Sequence, residues 1–133
     1  MIKVHRKGKL IKIYYRTSCG SSQRAISWFK KHNLTIQQQQ ISQISRKDLF
    51  KILQLSDEGF TDIIKHPGKS DSVINEAMEY IESLSFNEAI GFLVTHTTVL
   101  KTPIILDGEN HLIGYNVEEI RKFIPKEYRQ QMN

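Results

Sequence analysis

The apolar period changes once, and sharply, in the first third of the chain. Leu10 to Tyr15 alternates in the two-residue rhythm of a strand, whereas Ala25, Ile26, Trp28 and Phe29 recur at the spacing of one helix face. Between them Ser18, Ser21 and Ser22 are candidate N-caps; Asn33 is a candidate stop, and Leu34 to Ile41 alternates again. Strand, helix, strand over so short a stretch predicts a βαβ unit, with two parallel strands joined by a right-handed crossover.

From Ser45 the texture turns helical. Ser45 and Asp48 make a capping-box-like start, with Leu49, Ile52 and Leu53 on one face. Gly59 punctuates, "FTDIIK" follows, and His66-Pro67-Gly68 ends that segment. Val73, Ile74, Ala77, Met78 and Ile81 fall at helical spacing, and Ser85 with Glu88 is a second capping-box candidate. Residues 45–100 are thus expected to be a helical insert.

The strand signature then returns. Ile104 to Leu106 and Leu112 to Ile113 are joined by Asp107-Gly108-Glu109-Asn110, a hairpin by its turn chemistry, and Asn116 is placed to cap a last helix, "VEEIRKFI", that Pro125 stops. The order βαβ, insert, ββα predicts an α/β fold of thioredoxin-like architecture, a mixed four-stranded sheet in a single domain 1–133 with its core at about 10–42 and 100–125. In that arrangement the loop holding Cys19 faces the start of the third strand, where the Thr102-Pro103 bond is expected to be cis.

Composition narrows the function classes. A chain of 133 residues, 39% hydrophobic and 25% charged, suffices for one core. It has no apolar run of the ~18 residues a membrane span needs and no signal-peptide pattern in the charged N-terminus, so a soluble, cytoplasmic monomer is expected. A formal charge of +5 is below that of a dedicated DNA-binding module. Lys3, Arg6, Lys7, Lys9 and Lys12 read as a solvated basic arm. His5, His32, His66, His96 and His111 lack metal-ligand spacing, so no metal site is expected. Trp28 and Phe29 read as core, and Asp57 and Glu58 as solvated charges or helix N-terminal acids; His96 and Thr98 read as surface residues. Glu118, Glu119, Arg121 and Lys122 read as a solvated face, with Arg121, Lys122, Lys126 and Arg129 as a basic end within reach of DNA.

Cys19, the only cysteine, sits where a strand ends and a helix begins. A thiolate there feels the positive end of the helix macrodipole and unpaired N–H groups, with Arg16 and Arg24 close in the chain. Cys19-Gly20-Ser21-Ser22 is also suited to cradle an oxyanion. Burial as an inert thiol is the alternative. Ser22, three positions on, excludes a dithiol mechanism: a hydroxyl hydrogen-bonds to a thiolate but does not resolve a mixed disulfide.

"IYYRTSCGSSQRAISWFKKHNL", "LQLSDEGFTDIIK" and "TPIILDGENHLIGYNVEEIRKFIPKEYR" together resemble the ArsC/Spx family over about residues 11 to 130. The resemblance implies a thioredoxin-like fold with a helical insert and offers two functions. One is arsenate reduction linked to glutathione and glutaredoxin, with Cys19 as the catalytic thiol. That branch has arginines around its oxyanion; Thr102, preceded by Lys101, and Lys65 stand in their places. An ammonium is a point charge and a threonine none, so the bidentate forks are missing. The other is Spx-type transcription regulation under stress, by binding the C-terminal domain of the RNA polymerase α subunit, with promoter DNA met only in that complex. "DEGFTDII" and "GYNVEEIRKFIPKEYR" resemble this branch more closely, and Gly59 matches the glycine of its polymerase contact, with Glu58 beside it and Gln54 at a position held there by arginine. That branch's Cys-X-X-Cys switch is present only by half, as Cys19, and its supporting arginine again maps to Thr102. The resemblance therefore implies a non-catalytic, cofactor-free regulator without a disulfide switch. Gly20, Ser21, Ser22, Thr102 and Pro103 are expected around the thiolate, and Gly59, Gln54 and Glu58 at the partner surface.

Overall fold

In the computed structural model, which describes residues 10–66 and 72–129, the alternating N-terminal stretch forms β1 (Ile11–Tyr15). β1 is followed by α1 (Gly20–Lys31) and β2 (Ile36–Gln40). α2 (Arg46–Leu55), α3 (Phe60–Ile63), α4 (Ser72–Glu82) and α5 (Phe86–Thr95) come next, then β3 (Ile104–Leu106), β4 (His111–Ile113), a 3₁₀ turn at Glu119–Phe123 and α6 (Lys126–Arg129). The chain divides into two compact units. One runs to Gln40 and resumes at Thr102, and the other is Ile41–Lys101.

The first unit holds a mixed sheet of order β2-β1-β3-β4. β1 pairs in parallel with β2, Ile13 opposite Gln38, and antiparallel with β3, Ile13 opposite Ile105; Ile105 in turn faces Leu112 of β4. This is the α/β, thioredoxin-like arrangement expected from the element order, and Thr102-Pro103 is cis. The glutamines of β2 sit on the open edge, where polar side chains disfavour pairing with another chain.

One face of this sheet is covered by α1. Ala25, Ile26, Trp28 and Phe29 pack with Ile11, Ile13, Ile105, Leu112, Ile120, Phe123 and Ile124. Phe29 meets Trp28 edge-on at 5.2 Å and Phe123 at 5.8 Å, the offset geometry that aromatic quadrupoles favour. α1 ends in a Schellman motif: the Leu34 N–H donates to Phe29 O at 3.0 Å and that of Asn33 to Lys30 O at 3.1 Å. Asn33 takes the left-handed φ of 58° this requires.

The second unit is helical. Ser45 Oγ accepts from Asp48 N at 3.0 Å, and Ser85 and Glu88 close a full capping box. Leu49 and Ile52 of α2, Ala89, Ile90 and Leu93 of α5, and Ile74, Ala77 and Ile81 of α4 are buried. An antiparallel bridge joins Ile64, just after α3, to Leu100 near the end of this unit.

Several expectations are corrected. None of the candidate serines caps α1: Cys19 is the N-cap residue and its side chain makes no cap bond. Ser22 Oγ instead accepts the Arg16 N–H at 3.2 Å, holding the loop after β1. β2 starts at Ile36 rather than Leu34, and Ile41 opens a 3₁₀ turn. Val73 faces solvent, outside the stripe formed by its helical neighbours. The expected last α-helix is a 3₁₀ turn, although Asn116 Oδ1 does cap it, accepting from Glu118 N and Glu119 N. Ile124 N donates to Arg121 O in the tighter i to i−3 pattern just before Pro125, which has no N–H to continue a helix. The basic arm at Lys3, Arg6, Lys7 and Lys9, the residue His5, and the stop at Pro67-Gly68 lie outside the described residues.

Candidate functional site

Cys19 follows β1 across a three-residue loop and opens α1, so its sulfur stands at the positive end of a twelve-residue helix. Its thiol donates to the Thr102 carbonyl at 3.6 Å, which brings together the loop after β1 and the residue before β3. Pro103, buried behind Thr102, is followed directly by β3. Gly20 and Ser21 form the first helical turn; Ser21 Oγ accepts from Arg24 Nη2 at 3.2 Å, and a Cβ at Gly20 would lie 3.5 Å from Arg24 Nη1.

Arg16 organises the two hydroxyls that meet the sulfur. Its backbone N–H donates to Ser22 Oγ at 3.2 Å, and its Nη1 donates to Thr102 Oγ1 at 3.3 Å. Each hydroxyl has one hydrogen to give. With an acceptor lone pair of each already taken by Arg16, both hydrogens are left for the thiolate. Burial pushes the Cys19 thiol up, yet hydrogen bonds from the Ser22 and Thr102 hydroxyls and the Ser22 and Ser21 backbone outweigh it and bring the group down to about 7. Partial burial also lowers the Arg16 guanidinium from its ordinary value, and the Cys19 thiolate beside it opposes that shift. The arrangement stabilises a single thiolate near neutral pH, suited to nucleophilic attack or reversible oxidation.

The structure brings Cys19, Ser22 and Thr102 together, with Arg16 as the cation behind both hydroxyls. For Arg16, chain proximity to Cys19 was the only signal in the sequence. Lys65 is exposed and belongs to the other unit, as do the exposed residues His96 and Thr98. Among the described residues no cluster of three or more metal-type side chains converges, and no helix is long and apolar enough to cross a membrane.

Gly59 lies in the second unit, between α2 and α3, as the N-cap of α3. Its φ of 66° and ψ of −129° are open to glycine and strained for other residues, while a Cβ there would find nothing within 4 Å. The corner is built by its neighbours: Glu58 N donates to Asp62 Oδ2 at 3.0 Å, and Thr61 Oγ1 donates to the Glu58 carbonyl at 3.1 Å. Gln54, Asp57 and Glu58 are exposed. In the same unit the half-buried Phe60 ring lies 5.7 Å from that of Phe86, which in turn lies 5.7 Å from Phe50. Phe50 and Phe86 remain 40% and 44% exposed, an aromatic patch that three separate elements assemble and no local motif announced.

The family model for ArsC matches residues 14–123, a span from β1 to the 3₁₀ turn that includes Cys19, Gly59 and Thr102. The chain belongs to the ArsC family. Within it, curated relatives are the global transcriptional regulators Spx of Streptococcus mutans, 33% identical over 92% of this chain and 88% of its own, and of Streptococcus pneumoniae, 34% identical over 92% and 91%. Spx 2 of Bacillus cereus is 33% identical over 93% and 94%. Solved ArsC-like structures share the fold. An ArsC family related protein from Bacteroides fragilis superposes with a TM-score of 0.68 at 20% identity, covering 85% of this chain and 96% of its own. Arsenate reductase from Vibrio cholerae does so with 0.67 at 15%, covering 87% and 98%.

Proposed function

We propose that this ArsC-family protein is a cytoplasmic Spx-like transcription regulator that binds the C-terminal domain of the RNA polymerase α subunit through the corner at Gly59. The observation that carries the reading is identity of about one third, over nine tenths of the chain, to proteins named as Spx regulators. The Gly59 corner supports the location: exposed Gln54 and Glu58 flank a backbone turn with open space above it, and Phe50 and Phe86 leave aromatic surface in the same unit. Exposed aromatic side chains are favoured anchors at protein interfaces. With Ser22 in place of a second cysteine, no intramolecular disulfide sets its activity. Abundance, or a one-thiol modification of Cys19 such as glutathionylation, takes that role. Promoter DNA is contacted only within the polymerase complex.

A pull-down with the isolated α C-terminal domain tests this. The native chain is expected to bind, while Gly59→Arg and, on unstrained backbone, Glu58→Lys are expected to lose binding with the fold intact by circular dichroism. Failure of the native chain to bind overturns the reading.

A second reading is favoured by the lowered Cys19 thiol and the Arg16 guanidinium near it: one-cysteine arsenate reduction with glutathione and glutaredoxin as reductants. Turnover of arsenate by the native protein, lost in Cys19→Ser, is the outcome it requires. Equal inactivity of both excludes it.

A further inference from the structure

α1 and Tyr115, two residues after β4, enclose a shallow groove of about 300 Å³ lined by Gln23, Arg24, Ser27, Trp28, Lys31 and Tyr115. Neither Cys19 nor the Gly59 corner contributes to it. Among the described residues no acidic side chain lines the groove, and none occurs in α1, which carries Arg24, Lys30 and Lys31. Arg24, Ser27 and Lys31 follow one another at i, i+3 and i+7, so they share one helix face, with a cation at each end and a hydroxyl between. Arg24 is held in place: Nη2 donates to Ser21 Oγ at 3.2 Å, and the guanidinium carbon lies 5.9 Å from the centre of the Tyr115 ring. Tyr115 is itself positioned by Gly114, whose φ is 87° and whose N–H donates to the Pro103 carbonyl at 2.7 Å. Trp28, stacked on His32 at 4.1 Å and only 8% exposed, gives the groove a rigid aromatic wall.

We propose that this groove docks an acidic, extended peptide segment of a partner protein, its carboxylates on Arg24 and Lys31 and an apolar side chain between them against Trp28 and Tyr115. Charge complementarity selects the occupant. Two helical turns separate the cations by about 10 Å along the axis, and alternate side chains of an extended chain face the same way, so residues i and i+4, about 13 Å apart, meet the two long cations with the residue at i+2 between them: the recognised pattern is acid–x–apolar–x–acid. A duplex presents phosphates outward with its bases stacked away, and so has nothing to set against the aromatic wall. So small a contact makes a weak, salt-sensitive, transient complex. The assignment stands independently of the polymerase reading.

Trp28 is the only tryptophan, so its emission reports on the groove directly. The full chain is titrated with a capped peptide containing Glu-Ser-Leu-Ser-Glu, with the same peptide carrying Gln for Glu, and with a single-stranded oligonucleotide. The acidic peptide is expected to give a saturable change in emission, and the Gln peptide at least a tenfold weaker one. Raising salt from about 0.05 to about 0.5 M is expected to weaken binding severalfold. The double variant Arg24→Glu/Lys31→Glu is expected to lose binding at least tenfold while remaining folded by circular dichroism, whereas Lys47→Glu, on exposed α2 surface, is expected to bind as the native chain does. No saturable change, equal binding of the Gln peptide, or insensitivity to charge reversal overturns the proposal. Tighter binding of the oligonucleotide also overturns it and reassigns the groove to nucleic acid.

Discussion

Arg16 donates to Thr102 Oγ1 at 3.3 Å, so a guanidinium from the loop after β1 reaches the residue that precedes Pro103. The family resemblance maps an arginine to position 102. The chain carries threonine there and brings the cation in from the end of the neighbouring strand β1, where it meets the threonine hydroxyl. The charge acts on the thiolate both directly, across the short gap to the sulfur, and through the neutral threonine donor.

Cys19 is expected to titrate at about 7. About half of it is then thiolate at neutral pH, against about 1% for a thiol at its ordinary value of 9.0. The rate of alkylation by iodoacetamide, followed from pH 5 to 10, should show that midpoint. A midpoint in the ordinary cysteine range contradicts the hydroxyl arrangement around the sulfur.

Ser22→Ala and Thr102→Val should each raise the alkylation midpoint, because each removes a donor to the thiolate. Arg16→Met should raise it too. Since part of the Arg16 effect passes through Thr102, the double variant Arg16→Met/Thr102→Val should shift the midpoint by less than the sum of the two single changes. Strict additivity would show that the two act separately.

The lowered thiol also makes stability depend on pH. A group whose ionised form is favoured by folding contributes fully above its ordinary value of 9.0, and the contribution disappears as pH falls through about 7. Urea denaturation of the native chain and of Cys19→Ser should therefore diverge more at pH 9 than at pH 6, the native chain gaining relative stability with rising pH. A pH-independent gap would contradict the shift.

Gly59→Ala tests backbone strain in isolation, since the added methyl meets no atom within 4 Å. At φ 66° and ψ −129° an alanine costs about 1–3 kcal/mol, measurable by chemical denaturation. Asn, which tolerates the left-handed helical region but not this one, should do no better.

Ser85→Ala removes one half of the capping box at the start of α5 and leaves the Glu88 N–H without its side-chain acceptor. A loss of about 1 kcal/mol is expected by the same denaturation assay. Lys47→Ala, exposed and outside any cap, should change little.

What was legible in the chain was what is written locally. Two-residue alternation marked β1, the Asp107 turn marked the β3–β4 hairpin, and Ser85 with Glu88 marked the start of α5; each signal lies within a few residues of the structure it builds. The start of α1 was not legible, because three serines compete for the cap and a contact with Arg16 draws Ser22 away from it. The 3₁₀ turn after Asn116 shares its cap and its apolar spacing with an α-helix, and only its closeness to Pro125 separates the two. At the thiol, topology alone brought Cys19 to Thr102. The part of Arg16 depends on the path of a long side chain, and the Phe50, Phe60 and Phe86 patch on three elements meeting, and periodicity records neither.

β1 lies at the centre of the sheet, yet its second neighbour is made last: Lys12 pairs with Leu106, across a loop of about ninety residues. Closing an unstructured loop of that length costs about 4 kcal/mol of chain entropy, and less once the intervening residues are compact. During synthesis the first strand, helix and strand emerge with one side of β1 bare, and that side stays bare until the β3–β4 hairpin leaves the ribosome. A growing chain of this design therefore presents an open strand edge for most of its translation, and whatever shields that edge in the meantime helps decide how much of the protein reaches its folded form.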